Sequence, residues 1–397
     1  MKKYFLSVVL ISFVLLNICC KKPPTQPPDE KPTNCTYLAG NRNYTWRMDT
    51  VAWFPSTLGG VWAFSDNDAY VLGTIIDGKP PYNSRWGRHW NGKEWEDNIN
   101  AKPGYTDNVG NWVEGDITIA PRNDVTGDDH FMVAVGLWGY STTTYAGVAE
   151  FDNRTKKWKC YKLQAVGELR SVWTDGKGYF IAAGDNGMVY TKDGYTADWV
   201  YQKAPTEFNL SRIIGVSKEE IYITGYQSLA TGESYDQGWE IYRNTWIKLF
   251  DTKDTSNASL HLTISDYFSE MGVWRCGITD SLKLYVIGDQ SYLFESKGQQ
   301  LEFRKTNLSD IGLPLKAKGR TGMRVNVFTP NDIWIIGTRY SFYHWNGDNF
   351  IKMLVPGLPT DDMQFGWQLR LIKTKTGKMF FGSEISSQVY VVMQGVL

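Results

Sequence analysis

The chain has 397 residues, of which 42% are hydrophobic, enough for a large buried core. Its 42 Lys and Arg residues balance 42 Asp and Glu residues, and this zero net charge argues against a nucleic-acid-binding protein, which needs a basic face for the phosphates. The 17 Trp, 23 Tyr, 18 Phe and 38 Gly residues favour pleated strands joined by turns, so the composition predicts an all-β protein.

The N-terminus has the pattern of a lipoprotein signal peptide. Two lysines precede the apolar run Tyr4–Ile18, which matches the length of a signal-peptide core and is too short for a transmembrane helix. The residues Leu16-Asn17-Ile18-Cys19 resemble the bacterial lipobox, in which the cysteine is lipidated. Ile18 replaces the usual small residue, so lipidation at Cys20 is an alternative, as is an ordinary cleaved signal peptide. The resemblance implies a lipid-anchored protein of the cell envelope, with the outer membrane expected.

The segment that follows the two cysteines, KKPPTQPPDEKPTN, has the composition of a tether. Its prolines favour extended polyproline II, and it contains no apolar residues that could join a core. We therefore predict three parts: a signal peptide in residues 1–19, a Pro-rich tether in residues 20–40, and one globular domain in residues 41–397.

A repeated unit dominates the rest of the chain. It consists of a short strand, a polar turn, an aromatic residue and a glycine that closes a second strand. The copies VWAFSDNDAYVLG, IIGVSKEEIYITG and VNVFTPNDIWIIG begin at Val61, Ile213 and Val325. Closing glycines fall at positions 73, 136, 184, 225, 288, 337 and 382, so the spacing runs from 41 to 63 residues. β-Propeller blades repeat about every 40 to 50 residues, and loop insertions account for the longer intervals.

A second hairpin completes each unit. The Asn-Gly pairs of HWNGKEW and YHWNGDNF predict tight primed turns, and two hairpins make a four-stranded blade. After Gly382 only one strand, Ser386–Met393, remains, whereas Asn43–Trp53 precedes the first unit without a partner. Pairing these two segments would close the ring and remove an exposed edge. We predict a β-propeller of seven four-stranded blades closed by the N-terminal strand, with six or eight blades as alternatives.

One unit, Gly184–Trp199, resembles the repeats of YCF48-like and Asp-box (BNR) propellers, whose turn reads Ser/Thr-x-Asp-Gly-Gly-x-x-Trp. Thr191, Asp193, Gly194 and Trp199 match this pattern, with one extra residue before the tryptophan. The whole chain also resembles Pro-tethered propeller lipoproteins with HWNG-type hairpins, some of which are described as carbohydrate-active proteins or glucosyltransferases. The first resemblance implies a propeller. The second implies a carbohydrate-active enzyme, either a glycosidase or a glucosyltransferase-like protein, as an alternative function.

The sequence contains no recognisable catalytic or metal-binding motif. It lacks H-E-x-x-H, G-x-S-x-G and P-loop patterns. His89 and His344 each precede a tryptophan at the same place in their hairpins, which structural repetition explains better than catalysis. Cys35, Cys160 and Cys276 are too widely spaced for a disulfide framework or a zinc site. We therefore predict no cofactor, no metal and no catalytic residue, and interpret the chain as a monomeric binding or assembly module for a glycan or an envelope protein.

Long connections should gather on one face of the propeller, over blades one, two and four; they are Thr74–Arg88, Asn98–Glu114, Leu137–Ala146 and Tyr226–Trp239. Function usually lies on such loops, and aromatic rings beside polar groups suit a sugar or a peptide. The alternative is that these rings pack the loops onto the propeller and bind nothing. The candidate ligand-binding aromatic residues are Tyr82, Trp86, Trp112, Trp138, Tyr140, Tyr235 and Trp239.

A set of arginines recurs with the repeat. Each precedes the aromatic residue of the second strand by ten residues, which predicts a position near the start of the innermost strand in blades three to seven. The set is Arg170, Arg212, Arg275, Arg324 and Arg370. Guanidinium groups grip carboxylate or phosphate in a fork, so arginines around one mouth of the channel would favour an anionic ligand. The alternative is that each arginine pairs with a carboxylate between blades.

Overall fold

A computed structural model describes most of the predicted globular domain. The described residues are 39–54, 56–76, 84–99, 112–121, 130–138, 144–152, 154–155, 157–230, 234–253, 270–275, 282–287, 291–297, 300–305, 324–336, 342–357, 371–386 and 389–397. They fall within one compact unit, Tyr37–Arg275 with Ser281–Leu397. The predicted signal peptide and the tether up to residue 38 lie outside the described residues.

The described residues form seven four-stranded sheets, numbered here in chain order. Sheet 1 contains β2 (Thr57–Ser65), β3 (Asp68–Ile76), β4 (Ser84–Trp90) and β5 (Trp95–Ile99). Sheet 2 contains β6 (Trp112–Pro121), β7 (His130–Trp138), β8 (Tyr145–Asp152) and β9 (Lys157–Val166). Sheet 3 contains β10 (Leu169–Thr174), β11 (Tyr179–Gly184), β12 (Met188–Asp193) and β13 (Val200–Lys203), with a 3₁₀ turn at Asp185–Gly187. Sheet 4 contains β14 (Asn209–Ser217), β15 (Glu220–Ser228), β16 (Ser234–Tyr242) and β17 (Thr245–Asp251).

Sheet 5 contains β18 (Glu270–Arg275), β19 (Leu282–Ile287), β20 (Ser291–Lys297) and β21 (Gln300–Lys305). Sheet 6 contains β22 (Arg324–Thr329), β23 (Asp332–Ile336), β24 (Phe342–Trp345) and β25 (Phe350–Lys352). Sheet 7 contains β26 (Ile372–Lys373), β27 (Met379–Ser386), β28 (Val389–Val396) and the N-terminal strand β1 (Thr45–Trp53).

The strand order identifies a propeller. Within sheets 1 to 6 the strands lie side by side in chain order, and every pair is antiparallel. The first strands of successive sheets contact one another from β2 through β6, β10, β14 and β18 to β22, and β26 contacts β2. First strands are therefore the innermost ones. The predicted all-β propeller is confirmed.

The hydrophobic core lies between the sheets rather than inside any one of them. Seven clusters of buried side chains each join two successive sheets, and one of them joins sheet 7 to sheet 1. Between sheets 6 and 7, for example, Trp334 and Phe342 pack against Phe381. Each fully buried side chain of this size contributes about 1.5–3 kcal/mol relative to an exposed one. Because both faces of a sheet are covered, its strands are continuous buried runs, such as residues 131–136 of β7.

The N-terminal strand completes sheet 7, as the sequence predicted. β1 runs antiparallel to β28, with Thr45 opposite Val396 and Trp53 opposite Val389. The residues before β1 continue onto sheet 6: the Gly40 amide donates to the Asn331 carbonyl at 2.9 Å. The N-terminal segment therefore binds two sheets, which goes beyond the single strand pairing expected from the sequence.

The Asn-Gly hairpin of sheet 1 differs from the predicted two-residue primed turn. Its loop spans residues 91–94, because the Asn91 side-chain oxygen accepts hydrogen bonds at 2.9 Å from two later backbone amides. Gly92 has a φ of +93°, a region that favours glycine. The two-residue turn with positive φ at both positions occurs instead in sheet 4, at Arg243 (φ 47°) and Asn244 (φ 65°).

Candidate binding face

The connections of a propeller sheet lie on two opposite faces. Connections from first to second and from third to fourth strands form what we call the turn face, which includes residues 66–67, 175–178, 218–219, 243–244, 330–331 and 346–349. The remaining connections form the loop face, which includes residues 185–187, 204–208 and 229–230. One of the expected loop positions differs, because Tyr226–Trp239 lies mostly in β15 and β16.

One part of the loop face, where sheets 3 and 4 meet, is held together by hydrogen bonds. We call it the rim platform, and it consists of Glu168, Arg170, Asp185, Asn186 and Asn209. The Asp185 amide donates to the Glu168 carbonyl at 2.9 Å, and the Asn186 amide donates to the Asn209 side chain at 3.1 Å. These hydrogen bonds join the short turn of sheet 3 to the connections on both sides of it. They fix the positions of the polar groups of the turn in the absence of a ligand.

Gly187 fixes the close approach of this turn to sheet 4. Its amide donates to the Phe208 carbonyl at 2.8 Å and its carbonyl accepts from the Ala204 amide at 2.9 Å. Its φ is +68°, and a Cβ at this position would lie 2.0 Å from the Thr206 carbonyl oxygen. Only glycine fits here without a backbone shift.

The charges of the rim platform are already paired within the protein. Arg170 Nε donates to Asp185 Oδ1 at 2.7 Å, and its Nη2 lies 3.1 Å from Glu168 Oε2. Burial favours the neutral form of Arg170, but the hydrogen bond and the two carboxylates together raise its pKa. Burial also raises the pKa of Glu168, an effect that Arg170 partly offsets and Asp185 reinforces. The platform thus contains two carboxylates and one guanidinium, and the Lys203 ammonium group beside it donates to the Asn186 carbonyl.

The predicted ring of five arginines does not share one strand position. Arg212 lies opposite Thr224 and Arg324 opposite Ile336, both near the start of their first strands. Arg275 is instead the last residue of β18, opposite Leu282 at the turn face, so its predicted position is wrong. The ten-residue offset fails there because six residues, 276–281, separate β18 from β19, whereas four, two and two residues separate the equivalent strands of sheets 3, 4 and 6. Arg370 and the Arg324 side chain lie outside the described residues.

The aromatic candidates occupy several environments. Trp239 is 6% exposed, and its indole N–H donates to Gln237 at 3.2 Å, so its predicted role at an exposed binding surface is wrong. It is buried because β16 extends through the stretch that the sequence suggested was a loop. Tyr235 is half-buried at the loop face, with Lys253 Nζ 5.5 Å from its ring centroid. Trp138 is half-buried at the end of β7. Tyr82, Tyr140 and the side chains of Trp86 and Trp112 lie outside the described residues.

The two histidines of the HWNG hairpins have the same structural role. His89 Nε2 lies 2.8 Å from Asp68 Oδ1, and His344 Nε2 lies 2.9 Å from Asp332 Oδ1. Each ring also stacks on an aromatic ring of the neighbouring strand, at centroid separations of 4.5 Å and 4.0 Å. The interpretation of these histidines as repeated structural residues agrees with this geometry.

The aspartates of these pairs belong to a polar position that sequence reasoning missed. A carboxylate begins the second strand in three sheets, two residues before its aromatic residue: Asp68, Glu220 and Asp332. The signal was present in the repeat, as DAY, EIY and DIW. In sheets 4 and 6 the carboxylate also pairs with a basic residue of the next sheet, Arg275 Nη2 at 2.6 Å from Glu220 and Lys373 beside Asp332. These carboxylates therefore join successive sheets.

One such network has the composition of a glycosidase site but not its chemistry. The Tyr222 hydroxyl lies 2.7 Å from Glu220 and 3.5 Å from Glu240. Burial and the two carboxylates raise the pKa of Tyr222 far above its usual value, so the phenol stays protonated and is a poor nucleophile. The Tyr222 side chain is fully buried, so a substrate has no access to it.

The buried His344 predicts a pH dependence of stability. Burial lowers its pKa below 6.5, although Asp332 partly opposes the shift. The unfolded chain therefore binds a proton at higher pH than the folded protein, and stability should fall as the pH drops below 6.5. Burial alone would raise the pKa of Asp332, but hydrogen bonds from His344 and Lys373 lower it overall, so the stability that Asp332 contributes is lost only below about pH 3.8. We expect the melting temperature to fall between pH 7.5 and 5.5, and His344→Gln to reduce that fall. Equal pH dependence in both proteins would contradict this assignment.

Among the residues that the structure describes, no group of three or more His, Cys, Asp or Glu side chains could hold a metal ion. No helix in this part of the chain is long and apolar enough to cross a membrane.

Comparison with known proteins gives a relationship of fold only. No protein-family model matches the chain, and no curated protein matches its sequence. Solved structures do match. A structure described as YCF48 bound to D1 peptide has a TM-score of 0.53 at 11% identity, covering 94% of this chain and 99% of that one. The chain shares its fold with YCF48. YCF48 from Cyanidioschyzon merolae has a TM-score of 0.51 at 10% identity, covering 88% of this chain and 98% of that one.

Proposed function

We propose that this protein is a lipid-anchored propeller of the cell envelope, acting as a non-catalytic binding module for a protein or a glycan. The observation that carries the proposal is the rim platform, where half-exposed polar groups are held by backbone hydrogen bonds on the loop face. Preorganised polar groups lower the cost of binding a partner. A YCF48 structure with a bound peptide shares the fold, which favours a protein segment over a glycan as the partner.

The same proposal includes a ring of seven blades. Each of the seven sheets would be one blade, and the seven hydrophobic clusters would be the interfaces between successive blades. In a closed ring of this kind the inner edge strand of each sheet would face the central channel, where it is shielded from pairing with other chains. It would hold the loop-face connections of neighbouring blades in fixed positions.

Anchoring is the first part of the proposal to test. We expect Cys19→Ala to abolish incorporation of labelled palmitate and to give a soluble or unprocessed protein, because only a cysteine can carry the lipid. Unchanged labelling of Cys19→Ala would indicate that Cys20 is the lipidated residue. Unchanged labelling of both single variants and of the double variant would contradict a lipid anchor at these residues.

The binding face can be tested with a matched pair of charge reversals. Glu207 on the loop face is 73% exposed beside Lys203, and Asp193 on the turn face is 71% exposed beside Lys218. The unit spanning residues 37–397 would be screened on a glycan array and a peptide array, and the best ligand titrated. We expect Glu207→Arg to weaken binding about tenfold, or about 1.4 kcal/mol, and Asp193→Arg to leave it unchanged. The opposite ranking, or no ligand on either array, would contradict the proposed face.

A further inference from the structure

The path of the N-terminal segment identifies the face from which the tether leaves. β1 occupies the fourth-strand position of sheet 7 and runs antiparallel to β28. A fourth strand begins at the turn face, so Thr45 lies there, opposite Val396. The chain therefore reaches the propeller on the turn face, and not on the loop face that carries the rim platform.

Contacts before β1 extend this path further along the turn face. The Gly40 amide donates to Asn331 in the turn between β22 and β23. Arg42 Nη2 donates to the Asn349 side chain, in the turn between β24 and β25, at 2.9 Å. Both turns belong to the turn face of sheet 6. The segment from Gly40 to Thr45 thus stays on one face across two sheets.

The position of Gly40 is tightly determined. A Cβ at this residue would lie 2.4 Å from His344 Nε2 and 2.8 Å from Asp332 Oδ1, so the backbone rests directly on buried side chains.

The other end of the chain reaches the same face. Leu397 lies beside Gly377 in the turn between β26 and β27, where a Cβ would be 2.9 Å from the leucine side chain.

From this geometry we infer that the turn face is directed toward the anchoring membrane and the loop face away from it. The inference rests on the proposed lipid anchor and deepens the proposed function. A tether of about 20 residues in polyproline II reaches about 60 Å, so the domain is not pressed onto the bilayer. Because the tether is attached at the turn face, that face is on average the nearer one. The partner of the rim platform is then a protein segment or glycan that approaches from the side opposite the anchor.

Fluorescence energy transfer to the membrane tests this orientation. The full lipidated chain, with every cysteine except the lipidated one replaced by serine, would carry a single donor dye at Asp193→Cys or at Glu207→Cys. These two positions are equally exposed and lie on opposite faces. The proteins would be bound to vesicles of phosphatidylethanolamine and phosphatidylglycerol that contain an acceptor-labelled lipid. Transfer from position 193 should be about twice that from position 207, since the faces are separated by about one strand length of 20 Å.

The outcomes separate the inference from the function on which it rests. Equal transfer from vesicle-bound proteins, or greater transfer from position 207, would overturn the orientation and leave the anchor intact. A protein that fails to float with the vesicles would overturn the anchor and the orientation together. Removing residues 21–34 should raise transfer from position 193 more than from position 207, because a shorter tether brings the turn face closer to the bilayer.

Discussion

Deleting residues 36–55 should leave a protein that aggregates or melts at a markedly lower temperature. The deletion removes β1, whose Val51 and Ala52 are fully buried in the cluster between sheets 7 and 1. It also removes Trp46, whose ring packs against Phe342 and Phe381 between sheets 6 and 7. One strand therefore contributes to the interfaces on both sides of its sheet.

The deletion should lower stability for a second reason, because it exposes the edge of a strand. Without β1, the backbone groups of β28 that pair with it would face solvent and could template association with another chain. Calorimetry and light scattering would measure the effect, with a protein lacking only residues 1–35 as the control. A shorter protein that melts at the same temperature as this control would show that β1 does not close the ring.

Glu150→Ala should be among the most destabilising single substitutions in the described part of the chain. Glu150 and Lys192 form an ion pair between sheets 2 and 3 at 2.8 Å, with side chains 5% and 1% exposed. Removing the carboxylate leaves a buried ammonium group without its counter-charge. Breaking a buried pair in this way costs about 3–5 kcal/mol.

The reverse substitution should be milder, which gives a matched control. Glu150 also accepts hydrogen bonds from Trp199 at 2.7 Å and from the Tyr161 hydroxyl at 2.9 Å. In Lys192→Met the carboxylate keeps both of these donors, and methionine fills most of the vacated volume. Urea unfolding of both variants would compare their losses in the free energy of unfolding. A loss in Glu150→Ala no larger than that in Lys192→Met would contradict the role assigned to the carboxylate.

The propeller could be predicted from the sequence because the repeat is a pattern of neighbouring residues. Each unit places apolar strand residues, polar turn residues and a closing glycine in a fixed order, and the resulting sheets follow it, as IIGVSKEEIYITG does in β14 and β15. The unpaired strand before the first unit also had one available partner, β28. The pattern of strands therefore sufficed to predict the propeller, and the two unpaired terminal strands sufficed to predict where β1 lies.

The binding site could be predicted only in part. The offset that grouped five arginines ignored the length of each turn, and the register places Arg275 at the opposite end of its strand from Arg324. The loop assigned to Tyr226–Trp239 is part of a long hairpin that buries Trp239. Residue counts along the chain do not reveal such differences, because register depends on hydrogen bonds between strands.

Two features of this protein therefore have different origins. The alternation of strands, turns and glycines depends on residues that are close together in the chain. The sequence alone therefore determined the repeated hairpins and the terminal strand that completes sheet 7. Which side chains meet across sheets was decided by the tertiary structure: Glu150 with Lys192, Glu220 with Arg275, and Gly40 above His344. These partners meet only when separate sheets pack together, because contacts between sheets depend on the packing angle and register of both sheets.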